Sequence, residues 1–333
     1  MKRFYSFVLM VLMLFIFVGF ANAQEKVRIS IATGGTGGVY YPFGAAIAEN
    51  INKQIPNTTA TAEVTGASVE NVRLVGQGKA SLGFTMNDTL YDAYVGTGKF
   101  KDNKIDSLRT ILQVYPNVFH IVTLKKSPIK KISDLKGKKV SVGAPGSGTE
   151  YKSSLVFPLL GIDYKDMKVY RLSFAENTTQ LKDGIIDAGV WSVATPTSSI
   201  MDLATTHDIF IVPFSNKEIE TIEKTFPFYS KWIIPKDTYK GQTQDVQTIA
   251  VWNSIVCHKD MPEDLVYKIT KAIFENRKSL LDTHKIAEFT TPENSVTKSP
   301  IPIHPGALKY YKEIGAIKDK KDATKKTKSK SKK

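Results

Sequence analysis

Cysteine is nearly missing from this 333-residue chain. Cys257 stands alone, so no internal disulfide can form, and stability has to come from a buried core. Histidine is scarce as well: His120, His207, His258, His284 and His304 are scattered, and none pairs at metal-ligand spacing. Nucleotide signatures are incomplete. The glycine run at 34–38 lacks the third glycine of G-x-G-x-x-G. Gly143 to Glu150 spells G-x-x-x-x-G-T-E, with Thr149 where a phosphate loop needs lysine. Ser147 lies in P-G-S-G rather than G-x-S-x-G, and no nucleophile comes with its own base. These gaps argue against an enzyme, a cofactor and a metal. After Phe20 no apolar run is long enough to cross a bilayer.

What is present begins with a leader. Lys2 and Arg3 are followed by an apolar run from Phe4 to Phe20 and by Ala21-Asn22-Ala23. A positive start, an apolar stretch and an A-x-A end read as a signal peptide over 1–23, cleaved after Ala23. A retained anchor is the alternative; the small residues closing the run favour cleavage and an extracytoplasmic protein. The formal charge of +14 is uneven. Removing the leader's two positive charges and the net seven of residues 318–333 leaves +5 on the body. The tail, built of Lys, Ser, Thr, Asp and one Ala, reads as disordered. It suits a loose attraction to anionic polymers or lipid, or plain solubilisation, and export excludes a nucleic-acid role. Cys257, within an apolar run, reads as a buried small hydrophobe.

Strand and helix patterns alternate, which implies parallel sheets and an α/β fold. Strands are expected at 27–32, 59–64 and 80–85, with helices from Val39, Val69 and Asn87. The order recurs from residue 138, with a glycine-rich loop at 143–149, a helix from Glu150, and a further helix opened by Thr195-Pro196. Gly78 to Phe84 and Gly184 to Val190 share glycine, four residues, glycine and an apolar residue. The reading is two similar lobes: 24–117 plus 246–317, and 118–245. Extended runs at 108–125 and 247–256 connect them as a hinge, and a long amphipathic helix is expected from Pro262 to Leu281.

The turns between strands and helices carry the chemistry. The first N–H groups of a helix have no intrahelical partner and bear partial positive charge. Glycine lets a ligand approach them, and Ser or Thr adds a hydroxyl, so such a turn binds an anion without Lys or Arg. Candidates are Thr36-Gly37, Ser68, Asn87, Ser147-Gly148-Thr149 and Thr195. Simple capping explains each alone. Two lobes aiming several of them into one cleft point to a carboxylate. Tyr40 follows the first glycine loop and is placed to close over a ligand.

GGTGGVYYPFG at 34–44, TGASVENVRL at 65–74, ASLGF at 80–84, SDLKGKKVSVGAPGSGTE at 133–150 and IPIHPGALKYYKE at 301–313 resemble the TAXI family, extracytoplasmic receptors of one class of TRAP transporters. The resemblance spans about residues 25–317. It implies a two-lobed fold of the type 2 periplasmic binding protein kind, with ligand held between hinged lobes. It implies a monomer that hands a carboxylate of the glutamate, glutamine or dicarboxylate class to a TRAP-type permease driven by an ion gradient. Thr36, Gly37, Tyr40, Ser68, Asn87, Ser147, Gly148 and Thr149 fall at the family's contact positions. The alternatives are an exported binding module for a sensor or another transporter, and an exported enzyme.

Overall fold

The computed structural model describes residues 26–317. The leader and the Lys-rich tail lie outside the described residues.

In chain order the strands are β1 (Val27–Ala32), β2 (Thr58–Glu63), β3 (Leu82–Met86), β4 (Leu108–Leu124), β5 (Lys139–Ser141), β6 (Lys168–Tyr170), β7 (Ala188–Val193), β8 (Ile209–Ile211), β9 (Tyr229–Ile234) and β10 (Val246–His258). The helices are α1 (Tyr40–Gln54), α2 (Ser68–Gly76), α3 (Asn87–Val95), α4 (Gly148–Leu159), α5 (Phe174–Lys182), α6 (Ser198–Thr206), α7 (Asn216–Thr225), α8 (Glu263–Glu275), α9 (Arg277–Thr283), α10 (Pro292–Thr297) and α11 (Pro305–Glu313).

The strands run in the order β2-β1-β3-β10-β4-β7-β5-β6, with β8 added to β4 and β9 to β10. Parallel β2-β1-β3 forms one end and parallel β7-β5-β6 the other. Two long antiparallel strands bind the ends together. Residues 246–251 of β10 pair with β9, and residues 253–257 pair with β3. Residues 118–123 of β4 pair with β7, while its earlier residues run against β10. The fold is α/β and two-lobed, and β4 and β10 are the crossings between lobes. Their pairing shifts register between Trp252 and Ser254 and again between Ile255 and Val256; at the first shift Asn253 faces two residues of β4, where β10 changes neighbours.

The repeated glycine pattern has a physical cause. Gly78 and Gly184 both hold φ of 68°, just past the ends of α2 and α5, where a side chain would be strained. Gly83 and Gly189 each lie under a buried asparagine: a Cβ would stand 3.3 Å from Asn71 Cβ in one lobe and 3.3 Å from Asn177 Cγ in the other. Asn71 donates to the carbonyls of Ala32, Thr33 and Phe84, gathering the ends of β1 and β3. Asn177 donates to Val190 of β7.

Two expected elements differ. Thr195-Pro196 does not open a helix. The peptide between them is cis, Thr197 is the N-cap, and α6 starts at Ser198. The long helix from 262 to 281 is two helices. Asn276 leaves helical geometry and turns its side-chain amide onto the Ala272 carbonyl, competing with the backbone ladder.

Candidate functional site

Where a parallel strand ends and its helix begins, both lobes place backbone N–H groups at the carboxyl edge of the sheet. These edges face one another across a cavity of about 200 Å³. Gly34, Gly35, Gly38, Val39 and Tyr40 approach from the β1–α1 turn, and Val64 to Ala67 from the β2–α2 turn. Ala144, Ser147, Gly148 and Thr149 come from the β5–α4 turn, and Ser173 and Phe174 from the start of α5. Met86, Ser192 and Val193 stand at strand ends, and Asn117 lies on the β4 crossing. The N-termini of α1, α2, α4 and α5 thus converge on one space.

No lining residue carries a charge. The polar groups there are hydroxyls, an amide and backbone. Ser147 and Ser173 cap their helices by accepting from Glu150 N (3.0 Å) and Glu176 N (3.3 Å). Ala67, the residue before α2, holds φ 77° and ψ −144°, a conformation that favours glycine. Strain of this kind costs about 1–3 kcal/mol and collects at functional turns.

The lobes touch over the cavity. Gly146 O accepts from Val69 N (3.0 Å) and Glu70 N (3.2 Å), joining the β5–α4 loop to the first turn of α2. A Cβ on Gly148 would stand 2.6 Å from Ser68 Oγ and 2.9 Å from Met86 Sδ. Lys99 pairs with Glu150 across the lobes, and Tyr151 donates to Asp92 at 2.5 Å.

Of the residues singled out in the sequence, Tyr40, Ser147, Gly148 and Thr149 lie on the cavity wall. Ser68 and Asn87 lie just behind it. Ser68 is fully buried and its Oγ accepts from Met86 N at 3.1 Å. Asn87 donates to Gln113 and Lys298 O and accepts from Ser254. Thr36 and Gly37 face a shallower groove against Thr178, Ser198 and Ser199. Thr195 is off the wall, since it precedes α6 and its Oγ1 lies 3.4 Å from His120 Nε2. Tyr40 does not lid the cavity with its hydroxyl. That group is buried and donates to Asn253 Oδ1 at 2.5 Å. Burial pushes the Tyr40 phenol up.

The sequence reading missed Ser173, Phe174, Met86, Asn117 and Ser192. Ser173 had a usable signal, because Ser173-Phe174-Ala175-Glu176 is a capping box. The others face the cavity only through strand pairing. A charged pair behind the wall was also missed. Lys152 of α4 and Asp88 of α3 are both buried. Burial pushes the Lys152 ammonium down to about 7, opposed by Asp88 acting through space. Burial raises the Asp88 carboxyl, opposed by Lys152 and by the hydrogen bond from Tyr229 (2.7 Å). His120, in the same core, is pushed by burial down to about 4. Cys257 is buried and burial raises its thiol. No helix among the described residues is long and apolar enough to cross a membrane.

Solved structures share this fold. The periplasmic binding protein BugD is 12% identical, with 89% of this chain and 99% of that one covered and a TM-score of 0.54. A protein of Bordetella bronchiseptica RB50 is 18% identical, covers 89% and 91%, and has a TM-score of 0.53. The model of the NMT1-like family matches residues 31–315. That match does not single out TAXI receptors, so the narrower resemblance rests on its motifs alone. By a match over most of its length, the chain belongs to the NMT1-like family.

Proposed function

We propose that this protein is an extracytoplasmic solute receptor that captures a small carboxylate between its lobes and delivers it to a membrane transporter. The observation that carries this reading is the convergence of four helix N-termini on one interlobe cavity without a charged wall residue. Such a site satisfies an oxyanion with backbone N–H groups and hydroxyls. A cavity of about 200 Å³ suits a metabolite-sized acid rather than a polymer. The leader supports export. The GGTGG-x-YYP and HPGA-x-x-YY motifs support a TRAP-type permease as the partner.

The purified mature protein is screened by thermal shift against mono- and dicarboxylates, amino acids and sugars. A ligand at 100 times its Kd stabilises the native state by about 2.7 kcal/mol, which reads as a raised Tm. A shift with carboxylates supports the reading; a shift confined to neutral sugars overturns it. Uptake by cells that co-express this receptor with a candidate TRAP-type permease then tests the partner. Loss of uptake on collapsing the ion gradient supports the TRAP assignment, and dependence on ATP alone replaces it with an ATP-driven importer.

A further inference from the structure

Behind the uncharged wall lies one cation. Lys152 sits in the second turn of α4 and is wholly buried. Its Nζ donates to Ser192 Oγ at 2.9 Å, and Ser192 lines the cavity. The ammonium also lies 5.5 Å from the Phe119 ring centroid and 5.1 Å from that of Tyr229. The Asp88 carboxylate, its nearest countercharge, is engaged elsewhere: Oδ2 accepts from Tyr229, and Oδ1 from Thr89 N (2.6 Å) and Thr89 Oγ1 (3.2 Å). The ammonium is therefore only partly compensated.

The geometry fixes what Ser192 offers. A serine hydroxyl has one proton and two lone pairs. Lys152, which can only donate, occupies a lone pair. The proton must point elsewhere, and it points at Met86 Sδ, 3.7 Å away. Thioether sulfur is a weak acceptor, so a ligand oxygen displaces it with little loss. Met86 itself lines the cavity.

We propose that Lys152, acting through Ser192, is the specificity-determining cation of this site: it turns the Ser192 hydroxyl into a charge-backed donor that selects an acidic group over its neutral isostere. This rests on the carboxylate-receptor reading. Lys152 is a positioning residue, since Ser192 and not the ammonium meets the ligand. The arrangement keeps a strongly hydrated ammonium out of the cavity while its field reaches the ligand through one hydroxyl. Hydrogen bonds in a chain polarise one another, so the bond that Lys152 gives to Ser192 strengthens the one Ser192 gives onward.

The test compares L-glutamate, 2-oxoglutarate and succinate with their mono-amides by calorimetry. Wild type, Ser192→Ala, Lys152→Met, Ser192→Ala/Lys152→Met and Lys152→Met/Asp88→Asn are measured. The last variant removes the buried countercharge along with the lysine, so that a folded sample is obtained even where Lys152→Met alone unfolds. Loss of a bond to a charged group predicts at least about a tenfold fall in affinity for the preferred acid. Its amide changes by less than about threefold, so the acid-to-amide ratio collapses. Ser192→Ala gives the same collapse, and combining it with Lys152→Met adds nothing further. A merely structural lysine lowers acid and amide affinities together and leaves the ratio intact; that result overturns the inference. So does Ser192→Ala with the ratio preserved. A wild type that binds none of the three acids overturns the carboxylate reading itself, and this inference with it.

Discussion

Gly148 marks a tight approach of the lobes. Its missing side chain lets the first turn of α4 rest on Ser68 and Met86 of the other lobe. Gly148→Val places methyl groups where Ser68 Oγ already stands 2.6 Å from the hypothetical Cβ. Ser68 is buried and bonded to the Met86 backbone, so it has no room to retreat. The variant is expected to keep its Tm without ligand and to lose most of its ligand-induced Tm shift, which a thermal-shift titration measures. A second expectation at this scale concerns pH. Lys152 titrates near 7 in the free protein, and an anion beside Ser192 favours its charged form. Below about 7 the lysine is already charged and affinity is full; above it, binding must take up a proton and affinity falls. The groups facing Lys152 do not reverse the sign. Asp88 on α3 is held above the usual range by burial, and an anion pushes it the same way. Tyr229 on β9 is raised and neutral, and His120 on β4 stays neutral above about 4. The carboxylate Kd measured between pH 6 and 9 should therefore weaken with pH, and a flat profile would remove Lys152 from the site's electrostatics. Of the site's residues, those in turns were legible and those on strands were not. Ser147, Gly148 and Thr149 announce themselves by composition. Asn117 and Ser192 sit in apolar strands, and nothing local tells which face meets the cavity. Lys152 was the least legible, because a lysine in a helix ordinarily reads as solvated.

At the scale of elements, strand–turn–helix order was readable because each turn carries its own chemistry. The misreadings arose where a side chain competes with the backbone ladder. Asn276 interrupts an apolar stripe that continues on both sides of it, so periodicity alone joins α8 and α9. Thr195-Pro196 has a helix-opening sequence, yet Thr197 takes the cap and the helix starts at Ser198. The crossings show what pattern cannot give. β4 and β10 are apolar runs, and their sequences do not reveal that each changes neighbours midway. Tyr40 connects this crossing to the cavity: it lines the wall, and its hydroxyl bonds Asn253 at the register shift between β10 and β4. Asn253 in turn donates to Tyr115 O on β4 at 2.6 Å. A contact at the cavity and a change in the crossing strands are thus linked through one side chain.

For the whole molecule, the lobes share β4 and β10 and meet around the cavity through the Gly146 loop and through bonds such as Tyr151 to Asp92 and Tyr229 to Asp88. We propose that this permits hinge opening, since a few interlobe bonds such as those to Gly146 O hold the closed form. Small-angle scattering is expected to show an expanded ligand-free protein that compacts on adding the carboxylate found in the screen. An unchanged radius of gyration with ligand bound would mean a rigid receptor. The shared strands also bear on how the chain is made. β3 pairs on one side with β1, and its other side is covered only by residues 253–257 of β10. Everything between them, including β5 to β9, is synthesised first. Until residues 253–257 arrive, the Leu82–Met86 edge is open and apolar, a template for pairing with another chain. The order of translation thus makes the nascent polypeptide most prone to aggregation before its last quarter appears, and a truncation ahead of Val246 would leave that edge exposed for good.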